Sequence, residues 1–426
     1  MKNRIERAAV IALGCPKNRV DSECLLASLA GAGYQLTAKP ETADLVVLTT
    51  CAFLNSAVNE SVSLIKSLTK LKTRRPDMKL VVAGCLIQRF GFSLSADYPL
   101  VDHWVGLDQL NSIPELLGRK PVRHRTGFPA RLLSTPGNYA YLKIADGCNN
   151  RCSYCLIPEI RGRFRSRSAP EIVAEAELLA ALGVKELILV AQDTTAWGMD
   201  RYGKPALARL LDRLSSIKGI RWLRLMYCHP AHLTEDVIEQ FGSNRKLCRY
   251  IDLPLQHIND RILQRMNRHY TRRQVERLLD RLRRVPEMHI RTTFITGFPG
   301  ETAATFAELL DFIRTTEFDR LSGYAFSPEP GTAAARMKPA VHPRCRQQRL
   351  KKLLQVQATV SRRRLRRLQG QNLKVLADFP REGRTEWDAP EVDGVARLTS
   401  GSFQPGQFYH CQVVKTTTHD LLVRIC

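Results

Sequence analysis

Apolar and polar positions alternate along this chain in two registers. Over the N-terminal portion, the short apolar runs Ala8–Leu13, Leu45–Thr50 and Leu80–Ala83 are separated by stretches of helical periodicity such as Ser22–Ala30 and Ser56–Leu68. Each run is too short for a buried helix, and an unbroken apolar run between helices is the pattern of a strand covered on both faces. The prediction is an α/β domain with a parallel, Rossmann-like sheet. Thr126–Asn138 carries Gly127, Pro129, Pro136 and Gly137 and reads as a linker. The alternation then restarts at Tyr141–Ala145, Glu186–Ala191, Leu223–Tyr227, Tyr250–Leu255, Ile290–Ile295 and Leu321–Phe326. Six strand–helix repeats predict a full or partial TIM-type barrel, in which function sits at the C-terminal strand ends. From about Gly370 the runs shorten and turn signals appear, Glu382-Gly383 and Pro405-Gly406, as in a small OB-like β-barrel. The predicted domains are residues 1–125, 138–368 and 370–426.

Composition adds a partner class. The formal charge of +24 on 426 residues points to nucleic acid or a nucleoprotein particle. Much of it lies in Lys338–Gln369, where eleven Lys or Arg accompany no acidic residue, and where Leu350, Leu353, Leu354 and Val360 mark a helix. A solvated helix face is the alternative use of such a run. No apolar stretch approaches the roughly 18 residues that span a bilayer. Lys2, Arg4 and Arg7 precede Ala8–Leu13 as in a signal peptide, but that stretch is only six residues long and leads into a helical pattern. It is read as a core strand, with no membrane partner, and the protein is expected in the cytoplasm. There, twelve cysteines suggest metal or catalysis over disulfides.

Three of those cysteines form the run Asp146-Gly-Cys-Asn-Asn-Arg-Cys-Ser-Tyr-Cys155, a CxxxCxxC loop directly after the first predicted barrel strand. Thiolates suit iron–sulfur clusters and zinc. Structural zinc sites fill all four positions, commonly from two paired-cysteine arms, and no second arm stands nearby. Three local thiolates on a cubane cluster leave one iron open to a small molecule. A second set, Cys15, Cys51 and Cys85, has no local motif, but each member follows a predicted parallel strand almost at once. Such strand ends share one rim, where ligands bind. Unrelated core cysteines are the alternative reading.

The loop resembles that of the radical-SAM superfamily, with Tyr154 as the aromatic before the third cysteine. The resemblance implies a 4Fe–4S cluster on Cys148, Cys152 and Cys155, with S-adenosylmethionine (SAM) on its open iron as the source of a hydrogen-abstracting radical. Gly14-Cys-Pro-Lys-Asn18, Thr49-Thr-Cys-Ala-Phe53 and Ala83-Gly-Cys85 resemble the N-terminal domain of the methylthiotransferases. That implies a second 4Fe–4S cluster on Cys15, Cys51 and Cys85, and a TRAM domain at the C-terminus. Gln192, Gly297 and Gly300, all just past predicted strands, are candidate cofactor contacts, as is Tyr154. Gln256-His257 is a further pair of this kind. A tight-turn or core role is the alternative for each. Cys24, Cys228, Cys248, Cys345, Cys411 and Cys426 match no motif and are read as structural.

Two branches of that family compete. Ile157–Gly162, Val190–Thr195, Ile251–Asp260 and Gly383–Gly394 resemble the RimO branch, which modifies an aspartate β-carbon on small-subunit ribosomal protein twelve. Met266–Thr271 reads more like the branch that modifies tRNA adenosine 37. Gly370–Cys426 holds six basic against seven acidic residues, a poor tRNA grip. Its acidic stretch, Glu386, Asp388, Glu391 and Asp393, is expected to meet the basic ribosomal protein, free or in the ribosome, while residues 338–369 contact ribosomal RNA. A reductase is implied as electron donor. A non-catalytic iron–sulfur RNA-binding protein is the alternative of another class. The cysteine sets predict about eight irons per chain. Replacing Cys148, Cys152 and Cys155 with Ala should leave about half of them. Iron analysis of the reconstituted variant checks this, and an unchanged content refutes the assignment.

Overall fold

The computed structural model describes residues 5–120 and 131–426. Lys2, Arg4 and the 126–130 part of the proposed linker lie outside the described residues. No helix among the described residues is long and apolar enough to cross a membrane. The chain divides into two compact units. The first contains residues 1–134 with 146–149 and 155–164, and the second contains 135–145, 150–154 and 165–426. The CxxxCxxC loop is therefore shared: Cys148 and Cys155 belong to the first unit and Cys152 and Tyr154 to the second.

The first unit is built on a five-stranded parallel sheet in the order Gln35–Leu36, Arg7–Ala12, Leu45–Thr50, Lys79–Gly84, His103–Val105. Alternate residues of each strand serve opposite faces. Val46, Leu48, Leu80 and Val82 pack on one side with Ile65 and Leu68 of the Asn55–Arg74 helix. Leu45, Val47, Val81 and Ala83 pack on the other with Leu25 and Leu29 of the Pro16–Gly31 helix. Burial on both faces is why these strands read as unbroken apolar runs. The short edge strands Gln35–Leu36 and His103–Val105 went unread, because two or three residues carry no period.

The second unit carries six parallel strands in sequence order: Tyr139–Lys143, Glu186–Val190, Trp222–Leu225, Leu247–Asp252, His289–Thr296 and Arg320–Ala325. The sheet does not close on itself, so the barrel is partial. Its last strand packs against the Pro343–Arg366 helix, whose Leu353 fills the place beside Gly323. Five further strands, Asn372–Phe379, Glu382–Thr385, Ala396–Leu398, Leu421–Ile425 and Phe408–Thr416, form a closed barrel around Val375, Leu398, Cys411 and Val423.

This small barrel docks on the N-terminal ends of the six strands, opposite the rim where function is expected. Ions make the joint. Glu186, fully buried at the start of its strand, accepts from Arg224 Nε at 2.6 Å and Arg384 Nη1 at 2.7 Å. Asp393 accepts from Tyr250 Oη at 2.7 Å and Arg291 Nε at 3.3 Å, and Asp388 is paired with Arg320. Glu386 accepts the Arg249 amide at 3.0 Å, and Glu391 the Tyr139 hydroxyl at 3.1 Å. Asp388 and Asp393 are thus consumed inside the unit, while Glu391 stays exposed, so the expectation of a four-carboxylate acidic surface is corrected. The strand starts supply arginines in a dry interface, where only carboxylates can offset their burial.

Burial alone would raise the Glu186 carboxyl, but Arg224 and Arg384 hold it below the ordinary carboxylate range. A depressed folded-state value gives stability that is present above the unfolded pKa and lost on acidification. Glu186→Ala leaves Arg224 without its carboxylate and Arg384 with Asp378 alone, and should cost about 3–5 kcal/mol. Breaking the exposed Arg397–Glu382 pair with Glu382→Ala should cost under about 1 kcal/mol. Urea unfolding midpoints of the two variants check the contrast.

Candidate active site

In the first unit, Cys15, Cys51 and Cys85 come together as the strand pattern required. Cys15 caps the Pro16–Gly31 helix, Cys51 directly follows the Leu45–Thr50 strand, and Cys85 opens the short helix after Lys79–Gly84. A Cβ added at Gly14 would lie 3.0 Å from Cys51 Cβ, so the first and second strand ends touch. Asn18 ties the rim together: its Nδ2 donates to Leu13 O at 2.9 Å and Thr50 O at 3.1 Å, while Cys85 Sγ lies 3.6 Å from its Oδ1.

The charge at this rim comes from Arg161, a residue sequence reading quoted only as part of a longer run. Its side chain is almost fully buried, 3% exposed, and donates to Asp21 Oδ2 at 3.1 Å, Asp146 Oδ2 at 3.0 Å and Cys85 Sγ at 3.9 Å, with Asn18 Oδ1 as a further partner. Asp146 stands two residues before Cys148, so one guanidinium links the three-cysteine rim to the start of the CxxxCxxC loop within this unit. Burial pushes all three thiols up. At Cys15 it is outweighed by Lys17, Arg161 and the backbone amides of Lys17 and Asn18, and the thiol falls below its ordinary value. Burial wins at Cys51, and at Cys85, where the neighbouring sulfurs add to it and the thiol rises to about 11. Three soft donors on one rim, with a fixed cation and one already acidified thiol, fit an iron–sulfur cluster.

The other cysteine loop is pinned on both sides. In the first unit the Cys148 amide donates to Gly162 O at 3.1 Å, and Cys155 Sγ accepts the Ile157 amide at 3.4 Å. In the second unit Cys152 Sγ accepts from Arg268 Nη1 at 3.5 Å, and Tyr154 packs edge-on against Phe298 with ring centroids 6.4 Å apart. The same unit holds a cluster at the C-terminal strand ends that sequence reading missed. Asp193 Oδ2 meets His232 Nδ1 at 2.7 Å and accepts from Asn150 of the cysteine loop at 2.8 Å. His229 stacks on His232 with centroids 4.8 Å apart. The ligand atoms of Asp193, His229 and His232 lie within 4.8 Å of one another, a spacing a cation accepts. Burial, and next the adjacent Arg268, hold His229 down to about 2, so its imidazole stays neutral. The cluster positions Asn150. Two histidines three apart after a strand were the available signal.

The other candidates fare differently. Gln192 is half-buried just past the end of the Glu186–Val190 strand. His257 is fully buried with Nε2 3.3 Å from Glu301 Oε2, a core role. Gly297 and Gly300 lie just past the His289–Thr296 strand, as the pattern required. Added Cβ atoms would strike Arg346 Cγ at 2.4 Å and Arg265 Nε at 2.9 Å, so both glycines make room for arginines. Their amides are spent on Glu301 Oε1 at 2.8 Å and Pro339 O at 2.9 Å.

With this geometry in place, similarity to known proteins decides the family. Residues 142–313 match the radical SAM superfamily, 7–106 an uncharacterized protein family, UPF0004, and 370–426 the TRAM domain. The chain is 43% identical over 436 residues to a protein of Pelotomaculum thermopropionicum named ribosomal protein uS12 methylthiotransferase RimO, covering 97% of this chain and 98% of that one. A protein of the same name from Geobacter sulfurreducens is 39% identical, with 100% of both chains covered. The chain belongs to the RimO family. It is a radical-SAM transferase. Among solved structures, it resembles the radical SAM methyltransferase TsrM of Kitasatospora setae, with TM-score 0.54, 17% identity, and 76% and 75% of the two chains covered. The cobalamin-dependent radical enzyme OxsB gives 0.53 and 11%, over 84% and 58%. At these identities the likeness is one of fold.

Arg161→Met removes the fixed cation from the N-terminal rim. In a Cys148→Ala, Cys152→Ala, Cys155→Ala background, iron affinity should fall about 10–100-fold, as for a lost outer-shell partner. Arg161→Lys should recover part of it. Iron retention against a chelator measures both.

Proposed function

We propose that this chain transfers a methylthio group to the β-carbon of an aspartate on ribosomal protein uS12. The observation that carries this reading is the pair of three-cysteine sets, on two parallel sheets, in a chain that matches uS12 methylthiotransferases over nearly its whole length. Cys148, Cys152 and Cys155 would hold the 4Fe–4S cluster that binds SAM, and Cys15, Cys51 and Cys85 a second 4Fe–4S cluster. The sets fit these groups: each offers three soft donors, and each includes a thiol hydrogen-bonded by a buried arginine. When bound, the cofactors supply a radical able to abstract hydrogen from an unactivated carbon, together with sulfur and methyl.

The residues of the chain do the rest. Arg161 holds the N-terminal rim against Asp146, at the start of the radical-SAM loop. Asp193 and His232 hold Asn150, and with it the middle of that loop. Tyr154 sits in an apolar group with Phe298, Met266 and Phe326, a surface that excludes water from a reactive radical. Gln192, at a strand end, faces the side on which barrel enzymes bind substrate. Residues 1–125, 138–368 and 370–426 act as sulfur-inserting, radical-generating and closing domains. The last seals the barrel floor with ions and leaves the rim for substrate. The helix Pro343–Arg366 keeps Arg344, Lys351, Lys352, Arg362 and Arg366 exposed. Arg349, Arg363, Arg364 and Arg367 of this basic stretch are ion-paired with Glu301, Glu317 or Asp319. Arg344, Lys351, Lys352, Arg362 and Arg366 would meet ribosomal RNA when the substrate is presented in the ribosome. A reductase would supply electrons, in the cytoplasm.

Incubation with SAM, sulfide and reductant, offering either uS12 or tRNA, tests the reading. Mass spectrometry should find the methylthio group on uS12 alone. Product only on tRNA refutes it in favour of the tRNA branch. Absence of SAM cleavage would leave an iron–sulfur RNA-binding protein. The Cys15→Ala, Cys51→Ala, Cys85→Ala variant should still cleave SAM while yielding no methylthiolated product.

A further inference from the structure

Arg268 is a buried charge whose partners do not balance it. The residue is 5% exposed. Its Nη1 donates to Cys152 Sγ at 3.5 Å, its Nη2 to Pro254 O at 2.8 Å and its Nε to the Tyr270 hydroxyl at 2.9 Å. Tyr270 passes its own proton to Leu255 O at 2.8 Å, so that phenol is a neutral donor and acceptor. Three of its five N–H groups are thus engaged, yet among the described residues no carboxylate lies within ion-pair distance of this guanidinium. The other large buried arginines differ. Arg161 has Asp21 and Asp146, Arg224 has Glu186, Arg291 has Asp252 and Asp393, and Arg384 has Glu186 and Asp378.

An isolated buried cation is costly, and natural chains retain one only where an anion completes it. Cys152 is the one group against Arg268 that metal binding turns into an anion. A cubane cluster held by three thiolates carries net negative charge. Reduction by one electron makes it more negative still. A fixed cation at 3.5 Å from a ligand sulfur, in a site shielded from water, stabilises the reduced form more than the oxidised one. Hydrogen bonds to cluster sulfurs act in the same direction.

We propose that Arg268 is the positioning residue that supplies the counter-charge of the cluster bound through Cys152 and so raises that cluster's reduction potential. This rests on the radical-SAM reading of Cys148, Cys152 and Cys155. Backbone and ring contacts hold the guanidinium in place before any cluster arrives: Pro254 O and the Tyr270 hydroxyl accept from it, and the Arg268 amide donates to Leu263 O at 3.1 Å. The site is therefore pre-organised to favour electron uptake.

The experiment uses the full chain with Cys15, Cys51 and Cys85 replaced by Ala, reconstituted so that one cluster is read, with EPR-monitored redox titration in the absence of SAM. Arg268→Gln should make the cluster harder to reduce. At a fixed solution potential the ratio of reduced to oxidised cluster should fall about tenfold or more, about 59 mV for a one-electron couple. Arg268→Lys keeps the charge but cannot span three acceptors at once, and should fall between Gln and wild type. Tyr270→Phe removes one acceptor but keeps the charge and the Pro254 O anchor, and should shift the potential far less than Arg268→Gln. An unchanged potential in Arg268→Gln overturns the proposal, as does an equal shift in Tyr270→Phe. Should the glutamine variant hold no cluster, Arg268→Lys is decisive: a lowered potential supports the proposal and an unchanged one overturns it. Failure of the underlying reading looks different, because the signal would then survive replacement of Cys148, Cys152 and Cys155 by Ala.

Discussion

Placing a guanidinium where water cannot reach it is the constraint around which the first unit is arranged. Arg161 lies on the short helix Ile157–Arg161, whose Ile160 is buried in the sheet's core, so its side chain points inward at the strand ends. There it meets Asp21 from the first helix, Asp146 from the cysteine loop and the oxygen of Asn18. Removing a charge from water costs several kcal/mol unless partners replace the hydration shell, and each of these partners is itself fixed by the fold. The contact ties 146–149 and 155–164 to the N-terminal sheet, although the radical-SAM match includes those residues. A loop that belongs by sequence to the barrel is thus held, at both ends, by the sheet that carries the other cysteine set.

The second unit spends its ions at the opposite end. The strand starts carry Glu186, Arg224, Arg249, Arg291 and Arg320, and the small barrel answers with Arg384, Glu386, Asp388 and Asp393. A parallel barrel cannot end its floor on apolar side chains alone, because strand-start backbone and polar groups need partners. Closing it with a second, charged barrel meets that need. It also gives several acids of the near-neutral C-terminal domain, Asp378, Asp388 and Asp393, a role as internal counter-ions.

Two arginines donate to cysteine sulfur, and their surroundings separate their roles. Arg161 is balanced by carboxylates and so is stable in the chain with or without metal. Arg268 has only neutral acceptors besides Cys152. The difference in counter-charge makes one arginine chiefly a tie between segments and the other an electrostatic element of the cofactor site.

Much of this molecule was legible in its sequence. Parallel strands buried on both faces leave unbroken apolar runs, so Leu45–Thr50 matched residue for residue and the other long strands to within a few positions. The rim of Cys15, Cys51 and Cys85 followed from the same rule, since parallel strands must bring their C-terminal ends to one side. Charge partners were not legible. Glu386, Asp388, Glu391 and Asp393 look like an exposed acidic surface in one dimension, and only packing places arginines and tyrosines against them. The packing of Arg346 beside Gly297 and of Arg265 beside Gly300 was equally hidden. Arg161 and Arg268 carry no periodicity and no spacing to mark them. Local sequence determines hydrophobic period and strand direction, which depend on neighbours a few residues away. Electrostatic pairing depends on groups a hundred residues distant, and only the tertiary structure decides which charges meet.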